Sequence, residues 1–301
     1  MRTFAEMRTL DVWYAKLDAE QVLARAAVQA PKSERKAVGR AQKLLDKART
    51  KDSMQALSKL TEVVDGHHRI MSDPPVVVPA RDLEAAYGLS PDEVLSVVHD
   101  LLRQYRSTLT DDRRHLLERY EFVDLARKVV GVGSVGTRAW IALLQGRDDD
   151  DPLFLQVKQA TRSVLEDHLP KSRFRQPGER VVQGQRLMQA TSDIFLGWTK
   201  GAQADLFYYW RQLRDMKGSA DVDAMIPEGM RYYAEICGWT LARAHARSGD
   251  PVAIASYLGS GDRFDRAMTD FAERYADQNE RDYEAFTAAI RSGRLEAIEG
   301  V

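Results

Sequence analysis

Gly131-Val-Gly-Ser-Val-Gly-Thr-Arg138, followed by Leu153-Phe-Leu-Gln-Val-Lys158, joins a glycine-rich turn to an alternating apolar run that closes on a lysine. A glycine-rich turn between apolar segments brings backbone amides to a phosphate chain, and a lysine closing the next alternating run supplies an ammonium. Val129-Val130 and residues 140–144 flank the turn, and 153–158 follows a second turn at 146–152. A period of two on either side of each turn predicts three short antiparallel strands. Downstream, 179–190 predicts a helix, 193–198 a strand and 205–213 an aromatic-rich strand. From residue 221 onward the apolar spacing is helical.

Upstream of the glycine turn, residues 1–120 read as helical. Apolar positions at helical spacing run through 11–28, and Pro31 ends that run. A second helix is predicted over 33–64, broken near 50–53 and ended by Asp65-Gly66. Ser90-Pro-Asp-Glu93 opens another, with Ser90 as cap, Pro91 at the first helical position and Glu93 reaching back to the cap amide. Thr110-Asp-Asp places two carboxylates where a helix dipole favours negative charge. The order of elements gives an α+β class: a helical region (1–120), a small antiparallel sheet lobe (121–217) and a helical lobe (218–301).

Composition narrows the function classes. The 301 residues are 44% hydrophobic, enough for a real core. Lys plus Arg (44) against Asp plus Glu (45) leaves a formal charge of −1, so no global field draws the chain to nucleic acid or an anionic membrane. The segment 32–51 carries eight basic and two acidic residues, but no aromatic residue lies between Tyr14 and Tyr87 to stack on bases, so it reads as a solvated helix face. The only cysteine, Cys237, cannot form an internal disulfide. No signal-peptide pattern opens the chain and no uncharged apolar run reaches the roughly 20 residues of a membrane span. The expectation is a cytoplasmic protein with neither a nucleic-acid nor a membrane partner.

Three phosphate loops compete for 131–138. A P-loop needs Lys then Ser or Thr after its last glycine, and here Thr137-Arg138 follow Gly136. Gly131, Gly133 and Gly136 match the dinucleotide spacing, but the acids precede Leu153 instead of ending a second strand. The kinase-type loop fits better: two antiparallel strands fold over the phosphates and a lysine on the third contacts them. That arrangement asks for a carboxylate on the following helix, and Glu179 is the first choice, Glu166 the second. The nucleotide-binding set is then Gly131, Gly133, Ser134, Gly136, Thr137, Arg138, Lys158 and Glu179, with Asp215 in the hinge Arg214-Asp-Met-Lys217. A glycine-rich hairpin with a solvated lysine remains the alternative.

Several long words of this chain, among them Val129-Val-Gly-Val-Gly-Ser-Val-Gly-Thr-Arg138, Arg180-Val-Val-Gln-Gly-Gln-Arg-Leu-Met-Gln189 and Leu241-Ala-Arg-Ala-His-Ala-Arg-Ser-Gly-Asp250, resemble the bacterial domain-of-unknown-function family 2252. The resemblance extends over essentially the whole chain and implies a protein-kinase-like fold with ATP and magnesium as cofactors. It also implies two departures. Gln159 stands where the family reads glutamate after the lysine. The family's Gly-Asp-x-His-x-x-Asn-Phe-Gly and Asn-Asp-Phe-Asp-Glu words, which look like a catalytic and a metal loop, are missing, as in a chain truncated at its N-terminus.

The residues agree that transfer machinery is lacking. Kinase-type chemistry uses an asparagine and an aspartate on magnesium, yet Asn279 is the only asparagine and sits in a predicted helix. His245 and Asp250 either border the nucleotide site or end one helix and start a turn; the turn reading is favoured. His67-His68 lacks a second ligand pair, so no metal site is expected. No Gly-x-Ser-x-Gly elbow supports a hydrolase. The expected function is nucleotide binding by a kinase-like lobe, catalytic only if a partner or upstream segment supplies the missing loops. The alternative is a non-catalytic interaction protein, whose exposed apolar surface drives self-association or binds a protein partner.

Overall fold

The computed structural model describes residues 1–29, 35–82, 90–129, 136–203, 205–213, 216 and 218–297. Its centre is a six-stranded antiparallel sheet of spatial order β3-β4-β5-β6-β8-β7. The strands are β3 (Val77–Pro79), β4 (Glu121–Lys128), β5 (Ala139–Gln145), β6 (Pro152–Ala160), β7 (Gly197–Lys200) and β8 (Phe207–Gln212). A separate hairpin joins β1 (Thr61–Val64) to β2 (His67–Ile70). With eleven α-helices among the described residues, the class is α+β.

Register sorts the side chains onto two faces, because residues paired across an antiparallel ladder project to the same side. One face carries Ala142, Leu144, Leu153, Leu155, Val157, Tyr208 and Trp210. It is covered by α6 (Pro91–Ser107), whose Val98, Leu102 and Tyr105 are buried in the same cluster, and by Leu117 of α7 (Asp111–Leu117). Tyr105 stacks on Trp210 with ring centroids 4.6 Å apart and donates its hydroxyl to the Phe195 carbonyl at 2.6 Å. The other face carries Ala126, Ile141, Leu143 and Phe154, capped by Ala56 and Leu57 of α5 (Ser53–Leu60) and by Ile70 of the hairpin.

Helix α6 starts as its sequence dictates, with the full capping box between Ser90 and Glu93 and Pro91 in the first turn. After β6, a loop with one 3-10 turn leads to α8 (Pro177–Met188), which packs on β6, β7 and β8. The chain ends in α9 (Pro227–Ser248), α10 (Pro251–Leu258) and α11 (Arg263–Arg291). The N-terminal helices α1 (Arg2–Glu6) and α2 (Thr9–Tyr14) pack on α9 through Phe4, Val12 and Ala246, so the two ends of the chain share a small core.

Four expectations are corrected. The region 1–120 is not helical throughout: α4 (Arg35–Arg49) and α5 stop at Leu60, and β1–β2 and β3 follow. Asp65-Gly66 ends no helix; φ is 52° at Asp65 and 81° at Gly66, the left-handed pair that closes a two-residue hairpin. The strand that leads into the glycine turn is 121–128 and lies before Val129, because β4 pairs with β5 from Glu121 to Arg127. The strand expected at 193–198 begins only at Gly197, since Asp193 closes a turn, accepting from the Phe195 N–H at 2.8 Å and the Gln212 N–H at 2.6 Å.

Candidate functional site

Lys158 lies near the end of β6, an interior strand of the sheet. Its cross-strand neighbours are Ala139 on β5 and Tyr209 on β8, and Tyr209 in turn pairs with Trp198 on β7. The adjacent row on the same face is Ile141, Gln156 and Arg211. Lysine, arginine, glutamine and tyrosine therefore form a polar floor beside the apolar ground covered by α5. Arg211 Nε is buried and has no hydrogen-bond partner among the described residues. Burial raises the Tyr209 phenol above its usual value of 10.0 against the opposing pull of the Arg211 charge, so Tyr209 is a neutral hydroxyl at physiological pH.

The far edge of this floor is set by α8. Its first turn presses so closely on β8 that a Cβ at Gly178 would overlap the Tyr208 carbonyl. Gln176 fixes the junction: Oε1 accepts from the Glu179 N–H at 2.6 Å while Nε2 donates to the Thr199 carbonyl at 2.8 Å. Tyr208 pairs with Gln159, next in sequence to Lys158, so Glu179 enters the sheet at the end that bears the lysine. Arg186, two turns further along, donates to the Leu196 carbonyl at 2.6 Å and lies 5.9 Å from the Trp198 ring. The C-terminus of α8 receives two guanidinium groups from α9: Arg243 donates to the Met188 carbonyl and Arg247 to the Gln189 carbonyl at 2.7 Å. Cations at the negative end of the helix dipole lock α8, and with it Glu179, between sheet and C-terminal helices.

The expected residues are brought together only in part. Among the described residues Glu179 makes no ion pair, and Glu166 accepts the Ser172 N–H at 3.2 Å within the loop before α8. Gly136 has φ of 78°, the left-handed value that favours glycine in the turn before β5, and Thr137 follows it on the surface. Arg138 belongs elsewhere. It extends β5 by one residue, its carbonyl accepting the Gln159 N–H at 2.8 Å and its N–H donating to the Gln159 side-chain Oε1 at 3.0 Å, and therefore points to the face opposite Lys158, where its Nη1 donates to Gln203 Oε1 at 3.2 Å. Gly131, Gly133, Ser134 and Asp215 lie outside the described residues.

His245 and Asp250 lie where one helix ends and the next begins. The His245 carbonyl accepts the Gly249 N–H that ends α9, and Asp250 caps α10 by accepting the Val252 and Ala253 N–H groups at 2.9 and 3.1 Å. His67 and His68 sit on β2 with side chains on opposite faces, and His68 Nδ1 lies 3.2 Å from Thr61 Oγ1. Among the described residues no group of three histidine, cysteine or carboxylate side chains could hold a metal ion. Among them, too, no helix is long and apolar enough to cross a membrane. Arg211, Arg243 and Arg247 were not singled out from the sequence. Arg211 carried one usable signal, since it shares the strand of Tyr209 at a spacing of two.

A family model described as an uncharacterized protein conserved in bacteria, DUF2252, matches residues 1–289. The chain belongs to this family. The match spans the sheet, α8 and nearly all of the C-terminal helices, so the polar floor around Lys158 and the arginine lock on α8 both lie within the family's domain. No curated protein and no solved structure matches the chain.

Proposed function

We propose that the floor bearing Lys158 holds the phosphates of a nucleotide, ATP with magnesium, in a kinase-like lobe, and that this chain alone does not transfer the phosphoryl group. The observation that carries the reading is the order of elements around Lys158. The short edge strand β3 and then two antiparallel strands (β4, β5) precede it, it sits on the next strand, α8 follows with Glu179 in its first turn, and two more strands complete the sheet. That order is what a glycine loop, a phosphate-contacting lysine and a carboxylate on the following helix require. Arg211 adds a second cation one row away with an Nε–H that a phosphate oxygen can accept. A lysine–glutamate pair would then form on ligand binding, as catalytic contacts often tighten only in the complex.

Thermal unfolding with and without MgATP tests this. Ligand at 100 times its dissociation constant adds about 2.7 kcal/mol of stability. The shift is expected in the native chain, lost in Lys158→Met and reduced in Arg211→Gln, with no transfer of labelled phosphate to any acceptor. A native chain that shows no shift at saturating MgATP refutes the assignment.

One observation favours the alternative of a non-catalytic interaction protein. Helix α11 spans 29 residues, about 43 Å, and leaves Phe264, Met268, Phe271, Tyr275, Tyr283 and Phe286 between 41% and 66% exposed along one stripe. A second copy of the chain laid antiparallel across this stripe sets Phe264 against Phe286 and Tyr275 against Tyr275, a self-complementary contact of the kind two-fold dimers use. Light scattering over a concentration series is expected to show a dimer that Tyr275→Asp returns to monomer; a monomer at every concentration rules the contact out.

A further inference from the structure

We infer that the sheet face opposite Lys158 carries a second site, for a small apolar molecule with a carboxylate head. A cavity of about 180 Å³ opens between α6 and the sheet, walled by Val94, Val98 and Leu101 of the helix and by Trp140, Val157 and Trp210 of the strands. Folded interiors pack closely enough that a void this size is ordinarily closed by collapse or filled by a ligand. Its walls offer water almost nothing. Deep in the lining, Trp210 Nε1 is engaged within the protein, donating to Thr199 Oγ1 at 3.0 Å. An apolar cavity without polar partners stays dry and takes apolar guests.

The rim supplies the second half of the recognition. Arg138 lines the cavity and donates one guanidinium N–H to the neutral amide oxygen of Gln203, also on the rim, at 3.2 Å. Among the described residues no carboxylate lies within ion-pair distance of Arg138. Its backbone is held on both sides by Gln159, so the guanidinium is carried on the rigid end of β5 and not on a free loop. A planar guanidinium with donors to spare at the mouth of a dry pocket matches a carboxylate in shape and charge. The volume sets the tail. An engineered cavity of about 150 Å³ accepts benzene, so this one holds a single ring or a chain of about six carbons. The ligand class is therefore a monocarboxylic acid with a short aliphatic or monocyclic tail.

This site shares no side chain with the Lys158 floor, so it stands whether or not a nucleotide binds there. Isothermal titration of the full chain with hexanoate, benzoate and the neutral control hexanol tests it. The native chain is expected to bind all three at one site, the acids more tightly. Arg138→Gln should weaken hexanoate and benzoate about ten- to a hundredfold, the worth of a hydrogen bond to a charged group, and leave hexanol unchanged. Ala142→Leu, which extends a wall residue into the cavity, should abolish all three while the melting temperature holds or rises. No heat with any probe up to its solubility limit overturns the site. Equal losses of acid and alcohol in Arg138→Gln overturn the head-group assignment. Undiminished binding in a folded Ala142→Leu chain overturns the cavity as its location.

Discussion

Replacing Tyr105 with phenylalanine isolates one oxygen atom in the packing that holds α6 on the sheet. The side chain is fully buried, its hydroxyl donates to the Phe195 carbonyl at 2.6 Å, and its ring stacks on Trp210 at an interplanar angle of 13°. Phenylalanine keeps the ring and the stack and leaves the Phe195 carbonyl without its donor. An unsatisfied buried acceptor costs about 1–3 kcal/mol, so urea unfolding followed by circular dichroism at pH 7.5 should show a loss of about 2 kcal/mol at unchanged slope.

The same variant has a pH signature. Burial first, and the Asp193 charge second, push the Tyr105 phenol well above its usual 10.0. The folded state therefore keeps the proton while the unfolded chain releases it above pH 10. The contribution of this group to stability is complete below pH 10 and falls as the pH rises through the window from the unfolded to the raised folded value. At pH 10.5 the native chain should have lost about 0.8 kcal/mol through Tyr105, a loss phenylalanine cannot suffer, so the gap between the two proteins should narrow by that amount. A difference below about 0.5 kcal/mol at pH 7.5, or a gap that widens with pH, refutes the account of a buried, neutral donor.

Further outcomes follow from single contacts. Gly178→Ala forces a methyl into the Tyr208 carbonyl and should cost about 1–3 kcal/mol by overpacking, read in the same unfolding assay, while Gly184→Ala, which has room near Met188, should be neutral or stabilising. Asp124, only 14% exposed, accepts from the Ile70 N–H at 2.9 Å and Arg81 Nη1 at 2.8 Å; Asp124→Ala should cost about 2–4 kcal/mol and raise hydrogen exchange in 61–70 ahead of the rest. Asp250→Ala removes the α10 cap and should cost about 1 kcal/mol without altering any MgATP-dependent thermal shift; a lost shift would make Asp250 part of the ligand site after all.

Local chemistry made much of this molecule legible in one dimension. The capping box at Ser90 and Glu93, the carboxylates opening α7, the alternating runs of β5, β6 and β8, and the helical C-terminus all follow from interactions within a few residues. The hairpin at Asp65-Gly66 is equally local, since that dipeptide between two β-branched or alternating segments is a hairpin signal, and the same two residues also fit a helix stop. Strand β4 was harder. Glu121-Phe-Val-Asp-Leu-Ala-Arg-Lys128 places Asp124 on the face that packs against the β1–β2 hairpin, where the Ile70 amide and Arg81, both distant in sequence, join the neighbouring Leu125 N–H in making an acid tolerable.

Local sequence alone places Lys158 on a strand, with glycines before it and a helix after it. Which residues share its face was a matter for tertiary structure alone. Side chains on a strand alternate, so a shift of one position exchanges the faces. Pairing of Ala139 with Lys158, and of Lys158 with Tyr209, brings Gln156 and Arg211 to the lysine and sends Arg138 to the apolar cavity behind it. Neighbours in the chain became neighbours of different sites, because register is fixed by the burial of two cores and not by the local sequence that names the residues.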